Sequence, residues 1–160
     1  MRVLAIDPGF ERMGVAIIEQ TGIAPSLIYS NCFKTSPLLP FNERLNEIGS
    51  EIQSIIKEHH PEALAIETLF FNTNKKTAMM VSESRGVVIY ISTREKLPVY
   101  EYTPPQIKIA VAGYGKADKR QIAFMTKKLI AISDDIVNDD EIDAIAIGLT
   151  CIASYKTIHE

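Results

Sequence analysis

Arg2-Val3-Leu4-Ala5-Ile6-Asp7-Pro8-Gly9, at the start of the chain, sets the fold class. Val3 to Ile6 is an apolar run too short for a helix, and Pro8-Gly9 stops it with a turn, so it reads as a buried strand that ends on an acid. An acid in that position lies at the carboxyl edge of a sheet, where open α/β sheets gather their ligand sites. Working outward, residues 13–19 and 24–34 read as two further strands of a meander, with Gly9 and Thr21-Gly22 as turn signals. From Phe41 the period lengthens: Phe41, Leu45, Ile48, Ile52, Ile55 and Ile56 are spaced for one face of an amphipathic helix. Pro61 interrupts it, and Ala63 to Ile66 is a second short buried strand delivering Glu67. Thr68 to Asn74 reads as a loop, residues 75–95 as a helix and Pro98 to Tyr102 as extended chain. Thr103-Pro104 caps a short helix that ends at Gly113, and Asp118 caps another running to about Ile130. The last helix spans about Asp140 to Ala153. Strands first, with helices between and after and no repeats or low-complexity linker, predict one α/β layer structure over residues 1–160.

The chain has 160 residues, enough to bury a real core, and 46% hydrophobic with 23% charged residues argues against disorder. No apolar run approaches the ~20 residues of a membrane span, and Asp7 cuts the first one short, so no membrane association and a cytoplasmic location are expected. Cys32 and Cys151 lack metal-ligand spacing and read as buried free thiols. The net charge of -3 hides an asymmetry. Residues 75–128 hold 11 of the 17 Lys and Arg against 4 acids, while the remainder holds 6 bases against 16 acids. That distribution suits a basic face for a polyanion beside an acidic pocket for metals, although solvated helix faces give the same count.

Four acids stand at the ends of elements: Asp7, Glu67, Asp140 and Asp143. Each has an ordinary use as well. Asp7 in Asp7-Pro8-Gly9 suits a turn, and acids at a helix start favour the macrodipole. Asp140 and Asp143 share a helix face, but Asp139 lies four residues before Asp143 and shares it too. Ala144 to Leu149 is almost wholly apolar, so this helix is buried and its acids lie near the sheet, where they repel unless a cation joins them. Hard carboxylate ligands in that arrangement suit Mg²⁺ or Mn²⁺. His59-His60 at a helix end and His159 at the tail read as solvated.

Several motifs together resemble the RuvC family of bacterial Holliday-junction endonucleases. They are Asp7-Pro8-Gly9 with Gly14, Ala65-Ile66-Glu67 followed by Phe70 and Phe71, Ser84-Arg85-Gly86, Tyr102-Thr103-Pro104 with Lys108, Gly113 to Lys119, and Asp140-Glu141-Ile142-Asp143-Ala144. The resemblance implies an RNase H-like fold with a mixed central sheet flanked by helices. It also implies a homodimer that cuts four-way DNA junctions with Mg²⁺ (two ions per subunit, Mn²⁺ as a substitute) and cooperates with the RuvA and RuvB branch-migration proteins. Carried over residue by residue, Asp7, Glu67, Asp140 and Asp143 are the catalytic metal ligands, Lys108 and Lys119 contact DNA, and Phe70 contacts a base. Lys116 is expected to hold the DNA backbone beside them. Phe10 and Val15 depart from the family, which more often has a small polar residue and an aromatic there. The helix from about Lys75 to Arg94 offers Met80, Val81, Ser84, Val87, Val88 and Ile91 as a dimer stripe, or as core on its own sheet.

Two rival classes share the early acid. The stretch from Asp7 to Gly14 also fits the Asp-x-Gly-x-x-x-x-Gly phosphate loop of actin-like ATPases, which need two such domains to enclose a nucleotide. A YqgF-type relative acting on RNA is expected to lack the lysine-bearing stretch at 102–120.

Overall fold

Alternation along the opening strand decides what each of its side chains meets. The computed structural model describes residues 1–69, 75–132, 136 and 138–159. Its elements are β1 (Arg2–Asp7), β2 (Arg12–Glu19), β3 (Ser26–Lys34), α1 (Phe41–His59), β4 (Ala63–Glu67), α2 (Lys75–Arg94), β5 (Val99–Tyr102), α3 (Pro104–Ala112), α4 (Lys119–Leu129) and α5 (Asp139–His159). The sheet has five strands in the order β3-β2-β1-β4-β5. β1, β2 and β3 are antiparallel neighbours, whereas β4 runs parallel to β1 and β5 parallel to β4. It is the mixed sheet expected, with β1 at its centre.

Period-2 strands send alternate residues to opposite faces. Leu4, Ile6, Val15, Ile17, Leu64 and Ile66 pack with Ile48, Ile52 and Val88 of α1 and α2. Val3, Ala5, Ala16, Ile18 and Ala65 pack with α3, α4 and α5 on the other face. Leu4, Ile6, Leu64 and Ile66 are fully buried, each contributing about 1.5–3 kcal/mol relative to exposure. The α5 face of β1 and β2 is lined by small residues for a reason. A Cβ on Gly148 would stand 2.5 Å from Ile18 Cγ1 and 3.1 Å from the Ala5 Cβ, so α5 lies directly on the strands.

The elements fall close to their expected bounds, and the departures have local causes. α5 runs past Ala153 to His159, and beyond that point the Ser154 hydroxyl donates back to the Thr150 carbonyl. In α1 the buried set includes Arg44, which periodicity alone passes over. Its Nε donates to Thr35 Oγ1 at 2.8 Å and its guanidinium lies over the Phe10 ring at 4.9 Å, bracing the turn that follows Asp7. Cys32 is only half-buried, contrary to expectation, because β3 is an edge strand. His59 is not solvated either; its side chain is mostly covered and stacks on Tyr29 at 5.0 Å.

On α2, Ser84, Val88 and Ser92 are buried, and Val87 and Ile91 approach Gly49 of α1. Much of the stripe expected to meet a partner is therefore used within the chain, while Met79 and Tyr90 remain exposed. Among the described residues, no helix is long and apolar enough to cross a membrane.

Candidate active site

The strand pattern that buries Val3 and Ala5 under α5 also sends Asp7 to that face, and Ala63, Ala65 and Glu67 follow the same alternation. β1 and β4 are parallel neighbours, so both acids lie at carboxyl ends, each one residue beyond the Ile6–Ile66 pair. The first turn of α5 supplies the other two. Gly14, paired with Asp7 across the β1–β2 ladder, makes this approach possible. A Cβ there would overlap the Asp140 carbonyl oxygen and crowd the Asp7 Cβ at 3.2 Å. Glycine is thus required by the proximity of a helix start to a strand end.

The electrostatics report the crowding. Burial, then the charges of Asp143, Glu67 and Asp140, push the Asp7 carboxyl up to about 8, with Lys119 opposing. Burial and Asp143 raise Glu67 to about 7 against the pull of Lys108. Asp143 is raised by burial, with Lys119 countering it. The Asp139 ambiguity also takes geometric form. Asp140 and Asp143 act on Asp7, whereas Asp139 is largely exposed and pairs with Lys119 Nζ at 3.2 Å.

Among the described residues, no three His, Cys, Asp or Glu side chains close on one point. Lys119 Nζ lies 3.5 Å from Asp143, and Arg12 Nη2 lies 2.6 Å from Asp140. Asp7 and Glu67 form no ion pair among the described residues. Crowded, partly desolvated carboxylates with an all-oxygen donor set fit a hard divalent cation such as Mg²⁺ or Mn²⁺.

An open cleft beside the acids is lined by Glu67, Lys108, Lys119 and Asp143, with Ile107 and Ile122 among its apolar walls. Its lysines are held by local sequence. Thr103 and Gln106 form a capping box at the start of α3, and Asp118 and Gln121 form another at the start of α4, leaving Lys119 as the first helical residue. Lys116 is exposed in the turn between α3 and α4, outside the cleft lining. Phe70 lies outside the described residues.

Three neighbours of the acids were not legible from motif spacing. Arg12 bonds Asp140, and the Cys32 thiol donates to the same Asp140 Oδ2 at 3.4 Å. Arg85 donates from Nε to the Glu67 carbonyl at 3.0 Å and pairs with Glu101, tying the end of β4 to α2 and β5. The signal for Arg85 was its place in Ser84-Arg85-Gly86; Arg12 gave none beyond its closeness to Gly14.

The model of the family described as crossover junction endodeoxyribonuclease RuvC matches residues 3–151. A protein of that description from Pelotomaculum thermopropionicum is 40% identical over 157 residues, 98% of this chain and 95% of its own length. Another from Desulfitobacterium hafniense is 44% identical over 149 residues, 93% of this chain and 90% of its own. The solved structure of T. thermophilus RuvC in complex with Holliday junction substrate superposes with a TM-score of 0.92 at 31% identity, covering 98% of this chain and 96% of that one. The fold is the RNase H-like α/β fold, and the chain belongs to the RuvC family of crossover junction endodeoxyribonucleases.

Proposed function

We propose that this chain resolves Holliday junctions in DNA recombination and repair, as a homodimer that makes paired symmetric nicks and leaves 5′-phosphate and 3′-hydroxyl ends. The observation that carries this reading is the gathering of Asp7, Glu67, Asp140 and Asp143 on one face of the sheet beside a cleft flanked by Lys108 and Lys119. The relative solved with a Holliday junction supports the choice of substrate.

Two divalent cations, Mg²⁺ or Mn²⁺, would be held by the four acids and, when bound, supply an activated hydroxide and stabilise the leaving oxygen. Asp7, on the central strand and acted on by all three other acids, would be a ligand at the middle of the set, with Glu67, Asp140 and Asp143 completing it. Burial of Asp7 limits competing water. Lys119 supplies positive charge at the phosphate, and Lys108 with Lys116 hold the backbone in register. No side chain has to act as a nucleophile. Phe70 stacks on a base opened at the junction centre.

The dimer reading rests on symmetry. A junction with near two-fold symmetry needs two like sites, one per subunit, and the exposed Met79 and Tyr90 of α2 are apolar surface that a second copy would cover. Cooperation with the RuvA and RuvB motor in the bacterial cytoplasm completes the reading, with residues 1–160 acting as one nuclease domain.

The test is to incubate the protein and Mg²⁺ with a mobile four-way junction, a linear duplex and an RNA hairpin. Paired nicks confined to the junction are expected. Cleavage of the RNA alone, or of duplex and junction equally, would overturn the assignment.

A further inference from the structure

One oxygen of the Asp140 carboxylate is already engaged. Its Oδ2 accepts from Arg12 Nη2 at 2.6 Å and from the Cys32 thiol at 3.4 Å. The same Arg12 nitrogen donates to Asn138 Oδ1 at 3.1 Å, and that oxygen also accepts the Asp140 backbone N–H at 3.0 Å. Arg12, Asn138 and Asp140 thus close a ring at the start of α5. The arginine comes from another element, as the first residue of β2.

Lys119 is placed differently. It lies between Asp143 and Asp139, so a cation arriving at Asp143 leaves it a second carboxylate. Among the described residues, Arg12 has no second acid within ion-pair distance. A carboxylate oxygen holding a guanidinium and a thiol proton has no lone pair well placed for a metal, and two cations on one oxygen repel. Yet the Arg12 side chain is 52% exposed against 26% for Asp140, so it can swing into water without opening the fold.

We propose that Arg12 is the resident counter-ion of Asp140, that a divalent cation taken up at Oδ2 displaces it, and that this residue thereby lowers the metal affinity of the chain. The proposal rests on the metal-site reading above and adds to it a named competitor. An ion pair open to water on one side is weak, so displacement lowers metal affinity by only about two- to five-fold. The device neutralises Asp140 in the metal-free protein without locking the site shut. Such a pair suits a site that must assemble from four acids while remaining folded empty.

Isothermal titration of Mn²⁺ into the full chain, without DNA, tests this. Arg12→Ala should bind Mn²⁺ about two- to five-fold more tightly than the wild type, while Arg12→Lys, which keeps a cation in reach, should stay near the wild-type value. Lys108→Ala removes a positive charge near Glu67 that forms no ion pair among the described residues, and it should tighten binding less than Arg12→Ala does. On the wild-type protein, the Arg12 Nε–H resonance, assigned by its loss in Arg12→Lys, should move with added Mg²⁺ toward the position of a solvated arginine. Unchanged or weaker Mn²⁺ binding by Arg12→Ala, equal tightening by Lys108→Ala, or an Arg12 resonance that stays in place at saturating Mg²⁺ would overturn the proposal. Absence of any Mn²⁺ binding by the wild type would instead remove the metal-site reading, and the proposal with it.

Discussion

Asp7→Asn should stabilise the metal-free protein while destroying its function. In the folded chain burial and three neighbouring acids raise Asp7 from 3.8 to about 8, and Glu67 is raised from 4.5 to about 7. Between about pH 4 and pH 8 the folded state therefore holds protons that the unfolded chain has released, so stability is greatest at the acid end and falls as pH rises through that window. A pKa displaced by one pH unit corresponds to about 1.4 kcal/mol, which makes the expected loss about 2–5 kcal/mol, or roughly 5–15 °C in Tm for a chain of this size. The asparagine amide carries no such proton, so the variant should melt higher than the wild type at pH 8 in EDTA and show a shallower pH dependence. Mg²⁺ should reverse the ranking: a ligand at a hundred times its Kd adds about 2.7 kcal/mol to whichever protein binds it. The assay is thermal unfolding from pH 5 to pH 8.5, with EDTA and with Mg²⁺. Parallel pH profiles for the two proteins, or a variant less stable than the wild type at pH 8 without metal, would refute the reasoning.

Gly14→Ala should cost about 1–3 kcal/mol by overpacking and abolish junction cleavage, since its Cβ must push the start of α5 away from Asp7; wild-type cleavage would show that α5 need not lie so close. Lys108→Ala and Lys119→Ala should each lower the log–log salt slope of junction binding by about 1, read by fluorescence anisotropy, and an unchanged slope would return them to ordinary surface lysines. Arg85→Met should slow cleavage about ten- to a hundred-fold with little effect on junction Kd, because it frees the Glu67 carbonyl and leaves the phosphate contacts in place; a matching loss in affinity would argue against a positioning role. Tyr90→Glu on α2 should shift the protein from dimer to monomer in sedimentation at micromolar concentration, and an unchanged dimer would place the interface elsewhere.

How much of this was legible in the sequence depended on how local the cause was. β1 and β4 could be read because a short apolar run bounded by Pro8-Gly9 or preceded by Pro61 has few alternatives, and both capping boxes are written in four residues each. The sheet order could not be read locally. Nothing near Ala63 says that β4 pairs with β1 rather than with β3; that follows from the parallel crossover through α1 and was available only through the family resemblance. Arg44 and His59 escape a local reading for a related reason. Their burial comes from partners contributed by other elements, Thr35 and Phe10 for one and Tyr29 for the other, which the helical period of α1 does not contain.

The site divides along the same line. Four acids at element ends were visible because an acid that terminates an apolar run is conspicuous, and alternation then fixes its face: once Val3 and Ala5 lie under α5, Asp7 must as well. What spacing left open was the balance of charge around them. Asp139 and Asp140 have equal claims on the sequence, and their difference arises from where Lys119 and Arg12 stand, on α4 and β2. Those two bases reach the acids from different elements, so the local balance that governs metal binding is a property of the assembled layers. The excess of bases in residues 75–128 did point to the lysine side of the cleft. It gave no hint of Arg12, which lies in the acidic remainder of the chain, because an ion pair with Asp140 between a strand and a distant helix leaves no trace in a sum of charges.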